Sequence, residues 1–334
     1  MSEAAVGRAD LILLGDVMLG RGVDAEWRAG KPADAFWGSV LPALRAADGV
    51  FANLECAITA HPARWSRTPK VFHFRASPGT TEILRAANIR WVSLANNHSL
   101  DFEAEGLLDT IEHLDQAGIA HAGAGRDRAA AMAPSLVTVG GGRIGLIALT
   151  DNEPPFAAAD RRPGTWYAPI AVCEAVLAPI AERIAALRRA GATLVIVSLH
   201  WGPNMVEEPP PHHRAFAQAL IGLGADLIHG HSAHVVQGVE LWRGRPILYD
   251  SGDVLDDYAV DPVLRNDHGM LFRLAADAAG PIALTMQPLR LSFARVDLAE
   301  GETARTICAR MARLSASLGT ALRPCPEGLE LTLR

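Results

Sequence analysis

A layered α/β fold is predicted by three features of the sequence. Short apolar runs recur from Leu11 to Tyr249, segments with helical spacing separate them, and ligand-type polar residues stand at the ends of the runs. The runs expected to form strands are Leu11–Leu14, Val50–Ala52, Arg90–Ala95, Arg143–Thr150, Thr193–Leu199, Asp226–His229, Val236–Trp242 and Ile247–Tyr249. Between them, Leu107, Leu108, Ile111 and Leu114 share one helical face. The same spacing recurs in Ile180, Ile184 and Leu187, and again in Phe216, Leu220 and Leu223. Gly118 and Gly191 fall where C-terminal caps belong. Past Tyr258 the texture changes: "GMLFRLAADAAGPIALTMQPLRLSF" reads as two antiparallel strands and "ETARTICARMARLSASLG" as a closing helix. The proline-rich stretches "DNEPPF" and "EEPPPHH" read as loops rimming a site, not as linkers. One domain over 1–334 is expected, with a motif core at 11–258 and C-terminal strands and helix at 268–320.

Composition narrows the function. The chain has 334 residues, 49% hydrophobic and 20% charged, as for an ordinary globular protein. A net charge of -6 leaves no basic face for a polyanion, so nucleic-acid binding is not expected. The four cysteines, Cys56, Cys173, Cys308 and Cys325, are scattered, which argues against a thiolate metal site and for a reducing compartment. The start "MSEAAVGRADLILLGD" has acid before a short apolar run, and no membrane segment is apparent, so a soluble, cytoplasmic chain is expected.

The position of the polar residues is the main functional signal. Asp16 follows "LILLG", Glu55 follows "VFANL", and Asn97 with His98 follows "WVSLAN". His200 follows "LVIVSL", and His231 and His234 sit in "LIHGHSAH". In open α/β sheets such strand ends line the ligand crevice, so these groups are expected to converge. Carboxylates, an amide carbonyl and imidazoles without cysteine suit Mn, Fe, Co or Zn. Six ligands exceed the needs of one tetrahedral ion and fit two divalent ions sharing a carboxylate and a water. His229 is left outside this set, His212 and His213 are read as loop or cap residues, and His268 as a surface residue. Arg75 and Arg21 are candidates for an anionic group of a small-molecule or peptide substrate. Asn96, shaping the turn, and Asp253 are placed beside that substrate.

The motifs "GDVMLGR", "NLE", "FRASP", "SLANNHSLDF", "LHWG", "GHSAHVVQGVE" and "ILYDSGD" resemble, in order, those of the CapA (poly-gamma-glutamate capsule biosynthesis) family, within the calcineurin-like metallophosphoesterase superfamily. The resemblance spans about Leu11 to Tyr258. It implies a four-layer α/β/β/α sandwich of two mixed sheets with metals at the strand ends. It also implies that Asp16 binds the first metal, that Glu55 bridges, and that Asn97, His200 and one of His231 and His234 serve the second metal. The other histidine would reach the first. His98 would be an uncoordinated acid–base imidazole oriented by Asp101. Two departures stand out: Asp16-Val17-Met18 replaces the usual Asp-x-His, and His231 and His234 are three apart where the superfamily has His-x-His. A weaker first site taking Ca or Mn is the corresponding expectation. CapA proteins are typically tied to the cell envelope, whereas no export signal is read here. The functions implied are a binuclear hydrolase of a phosphoester or gamma-glutamyl/peptide-like bond, a peptide epimerase working at a Cα–H, or a non-catalytic accessory protein of polymer synthesis.

Overall fold

The computed structural model describes residues 8–334. Alternation along its buried strands decides which layer each side chain serves. In Ala9–Val17, Leu11 and Leu13 enter a core shared with Ile144, Leu146, Leu194 and Ile196 of other strands. Their neighbours Ile12 and Leu14 face the opposite way, into a core with Val50, Leu107 and Leu114. Ile147, Val195 and Val197 likewise turn outward onto Ile180, Ile184 and Phe216. Three apolar layers of this kind separate helix, sheet, sheet and helix, which is the expected four-layer sandwich.

The first sheet runs, in order, Arg323–Cys325, Gly328–Thr332, Gly280–Ser292, His268–Asp277, Ala9–Val17, Gly49–Leu54, Ile89–Ser93 and Ala120–Ala122, and Asp253–Leu255 also pairs with Ala9–Val17. The second runs Val239–Trp242, Arg245–Leu248, Leu227–His231, Leu194–His200, Gly142–Thr150 and Ser135–Val139. Every strand expected from the apolar runs is found in one of them. Both sheets are mixed, but the strands that end in polar residues run parallel, so their ends share an edge. Register then places Asp16 opposite Asn53 on one side and Asp253 on the other, and His200 opposite His231.

Close backbone contact holds this edge. A Cβ on Gly15 would lie 1.9 Å from the Gly252 carbonyl oxygen, so only glycine fits there. The Asp16 N–H donates to that same carbonyl at 2.9 Å. The expected helices appear as Glu103–Ala117, Glu174–Arg189 and Pro211–Gly222, the first ending at Gly118 with φ of 70°.

The C-terminal hairpin forms as expected and joins the first sheet, with Phe272 opposite Leu13. The helix Gly301–Ser317 buries Ile307 and Met311 in the core between the sheets. The hairpin Arg323–Cys325 with Gly328–Thr332 was not expected and carries regular structure past 320. Two histidine expectations fail: His268 is buried, and His213 is buried in the first turn of its helix, stacked on Trp201 at 4.6 Å. Among the described residues no helix is long and apolar enough to cross a membrane.

Candidate metal centre

The turn after Ile89–Ser93 separates the roles of neighbouring polar residues. Asn96 is fully buried; its side-chain N–H groups donate to Asn53 Oδ1 at 3.0 Å and the Leu54 carbonyl at 2.8 Å. Its Oδ1 accepts from the His98 N–H and the Ser99 hydroxyl. With all its capacity used inside the protein, Asn96 fixes the turn, which corrects its placement beside the substrate. Asn97 behaves differently: its Oδ1 is buried without a partner and it lines a cleft. The carbonyl of Asn97 instead accepts from the Lys70 ammonium at 2.7 Å.

His98 and Asp101 form the expected pair. The Nδ1 of His98 lies 2.6 Å from Asp101 Oδ2, which fixes Nδ1 as the donor and leaves Nε2 3.9 Å from Glu55 Oε1. The ring stacks on Phe74 at 4.0 Å. Burial lowers the His98 pKa, opposed by Asp101. Lys70, absent from the sequence-based set, reaches Asp101 Oδ1 at 3.4 Å and Glu153 at 3.5 Å.

Opposite this pair lie the other expected ligands. Ligand atoms of Asp16, His200 and His231 lie within 4.8 Å of one another, as do those of Asp16, Glu55, His234 and Asp253. Asp16 is therefore common to both groups, whereas the family pattern gives that place to Glu55. Asp253 enters as more than a pocket neighbour: its Oδ1 is 2.8 Å from His234 Nδ1. His229 lies outside both groups, its Nε2 donating to the Leu14 carbonyl. Asn53 was missed; it donates to Asp16 Oδ1 at 2.7 Å. The period of two in "NLE", which puts Asn53 on the face of Glu55, was the available signal.

The set fits divalent cations. Asp16 Oδ2, Glu55 Oε1, Asn97 Oδ1 and Asp253 Oδ2 are all buried with no hydrogen-bond partner, a costly state for acceptors away from water. His200 Nδ1 and His231 Nδ1 meet at 2.9 Å, and Ser198 holds the other His231 nitrogen. Burial raises the pKa of Asp16, Glu55 and Asp253; neighbouring carboxylates push Glu55 and Asp253 up further, and His234 opposes the rise in all three. Burial also drives His200 and His231 well below their ordinary value, while Asp253 and Glu55 overcome burial and hold His234 well above. Oxygen and imidazole donors in this state lack only positive charge, and no thiol competes.

Asn97, His98 and His234 line a cleft of about 810 Å³ whose walls include Phe72, Phe74, Tyr258 and Val260. Tyr258 also donates to Glu55 Oε2 at 3.0 Å. Arg21 lines the cleft, ion-paired to Asp257 at 2.7 Å and lying over the rings of Phe74 and Tyr258. Arg75 does not. It is exposed, donates to the His61 carbonyl, and opens into a neighbouring pocket, because His73 and Arg75 point away from the side taken by Phe74.

Two mixed sheets between helices, with buried oxygen and imidazole donors at parallel strand ends, define a class of protein: a four-layer α/β/β/α sandwich with a candidate divalent-metal centre. Within that class the chain belongs to the family described as bacterial capsule synthesis protein PGA_cap, whose model matches residues 10–258. A Mycobacterium tuberculosis protein named "Probable polyglutamine synthesis accessory protein" is 35% identical, covering 96% of this chain and 94% of its own. The "PGA biosynthesis protein CapA" of Bacillus subtilis is 30% identical over 73% of this chain and 62% of its own. Among solved structures, a hypothetical protein from Thermus thermophilus matches at 16% identity with a TM-score of 0.50, over 85% of this chain and all of that one. A 5'-nucleotidase precursor from the same organism matches at 14% with a TM-score of 0.47, over 94% of this chain and 60% of that one.

Proposed function

We propose that this chain is a divalent-metal-dependent hydrolase of an amide bond in an anionic, gamma-glutamyl-like substrate. One observation carries the reading: the Asp101-oriented imidazole of His98 lines the cleft beside Asn97 and His234, and ligand atoms of the buried Asp16, Glu55 and Asp253 lie within 4.8 Å of that of His234. Asp16, Glu55, Asn97, His200, His231, His234 and Asp253 would hold the ions. Bound there, divalent ions such as Mn, Fe, Co or Zn supply Lewis-acid polarisation and acidify a water. His98 takes or returns a proton at Nε2, and Asp101 keeps Nδ1 protonated and the ring in place. Asn53 orients Asp16, and Tyr258 orients Glu55, through the hydrogen bonds described. The aromatic walls limit water access. The names of the relatives support the polymer-related substrate, and a phosphoester remains the other bond class suited to the same groups.

The test is elemental analysis after loading with each metal, followed by assays on a gamma-linked glutamate oligomer and on an aryl phosphate. Bound metal with released amine supports the reading, and released phosphate moves it to phosphoesters. Less than one equivalent of metal and no product with either substrate would overturn it.

A second reading, a metal-dependent peptide epimerase, is favoured by a specific feature. The cleft holds two histidine–carboxylate pairs, His98–Asp101 and His234–Asp253, both able to exchange a proton. Epimerisation would incorporate one deuteron from heavy water with no other mass change. A non-catalytic accessory role predicts neither product nor exchange.

A further inference from the structure

Beside the cleft, on the far side of the segment Val71–Ala76, lies a second pocket of about 330 Å³. The segment is a shared wall. Phe72 and Phe74 face the cleft, and His73 and Arg75 face the second pocket. Four guanidinium groups, Arg21, Arg28, Arg64 and Arg75, line that pocket with His73. Two are neutralised, Arg28 by Asp24 at 2.8 Å and Arg21 by Asp257. Among the described residues Arg64 and Arg75 have no carboxylate partner. Arg75 is nonetheless held in place, by the His61 carbonyl and by the face of Phe102 at 4.8 Å, so its planar fork is oriented before any ligand arrives. Unpaired guanidinium groups gathered around a concavity run against the net charge of -6 on the whole chain. Arg21 lines both pockets, which sets them side by side.

We infer that the arginine pocket is an anion subsite for a substrate residue neighbouring the one processed in the cleft. Its ligand is a carboxylate or phosphate group, matched by the guanidinium fork of Arg75 and the charge of Arg64. The substrate is then an oligoanion with at least two anionic units, not a single small anion. This inference rests on the anionic-substrate part of the proposed function and adds where the second charge sits.

The test reads binding, with product release followed in parallel. A gamma-linked glutamate pentamer, its α-carboxamide counterpart and inorganic phosphate are titrated calorimetrically into the metal-loaded protein and into R64A/R75A. Wild-type protein should bind the pentamer more tightly than the carboxamide. The double variant should lose about tenfold or more of pentamer affinity, with a flatter dependence on salt. R64E, at an exposed position with no side-chain partner, should weaken the pentamer in the same direction without affecting folding. If phosphate binding falls in the double variant while pentamer binding does not, the subsite is for phosphate; the reverse assigns carboxylates. Unchanged binding of both pentamer and phosphate in the double variant would overturn the inference, as would equal binding of pentamer and carboxamide by wild-type protein together with unchanged phosphate binding in the double variant. Hydrolysis that persists without arginine-dependent binding rejects the subsite alone. Arginine-dependent binding without any hydrolysis rejects the hydrolase alone.

Discussion

The strand ends that carry Asp16, Asp253, His200 and His231 and the C-terminal hairpin of His268–Asp277 and Gly280–Ser292 lie in one sandwich but follow opposite rules. At the strand ends, carboxylates and an amide oxygen are buried without partners. In the hairpin, Phe272, Leu274, Leu284 and Met286 are fully buried, and the edge charges are paired, Arg273 to Asp10 and Arg334 to Asp277. Backbone strain also gathers at the first region: Arg21, Glu153, Met205 and His234, all with left-handed φ, line the cleft. Unpartnered carboxylate and amide oxygens converge at the strand ends, as a cation site requires, whereas the hairpin rests on apolar burial and leaves only the separate His268 Nε2 and Gln287 Oε1 buried without partners.

The contrast can be broken by mutation. The largest expected effect is at the strand ends. His234→Ala should cut turnover by about a thousandfold or more and lower metal stoichiometry, with the melting temperature of the metal-free protein little changed. His98→Gln should lower kcat by about 10²–10⁴-fold with metal content unaltered, which separates proton handling from ion binding. Phe272→Ala should do the opposite of both, costing about 3–5 kcal/mol in denaturant unfolding while the folded fraction binds metal normally. A smaller effect is expected outside both regions, at His213. Burial pushes its pKa from 6.5 to about 4, so it is neutral in the folded protein. The unfolded chain takes up that proton first, and the contribution of His213 is full above about pH 6.5 and lost as pH falls to about 4. His213→Phe should therefore flatten the acid limb of stability over that range by about 1–2 kcal/mol, read as unfolding midpoints against pH. The smallest effect is expected for Arg273→Ala, whose ion pair with Asp10 is partly exposed and worth less than about 1 kcal/mol in the same assay.

The sequence carried the layers and much of the centre because both depend on local patterns. Continuous apolar runs reported strands such as Arg143–Thr150 and Thr193–Leu199 to within a residue or two. Ligand types at their ends reported Asp16, Glu55, His200, His231 and His234. What was not legible depended on tertiary direction. Arg75 and Phe74 are adjacent, yet one serves the arginine pocket and the other the cleft, and a loop of uncertain pleat does not say which. Asn96 looked like a site residue because it is polar and flanks Asn97, but its partners come from residues 53 and 54. Lys70 sits in "TPKVFHF", where no periodicity flags a buried ammonium, and only the folded chain brings it to Asp101. That Asp16, and not Glu55, belongs to both ligand groups depends on contacts with His200, His231 and Asp253 that no local pattern encodes.

The pairing of Asp16 with Asp253 has a consequence for how the protein comes into being. Asp16 leaves the ribosome well before Asp253. Until the strand Asp253–Leu255 docks against Ala9–Val17, His234 lacks the carboxylate at its Nδ1 and Asp16 lacks its neighbour. A nascent chain ending before Asp253 therefore exposes scattered weak donors rather than a high-affinity trap for the wrong ion. Under the proposed metal centre, capture of an ion would come late in synthesis, after both ends of the motif-bearing span have found each other.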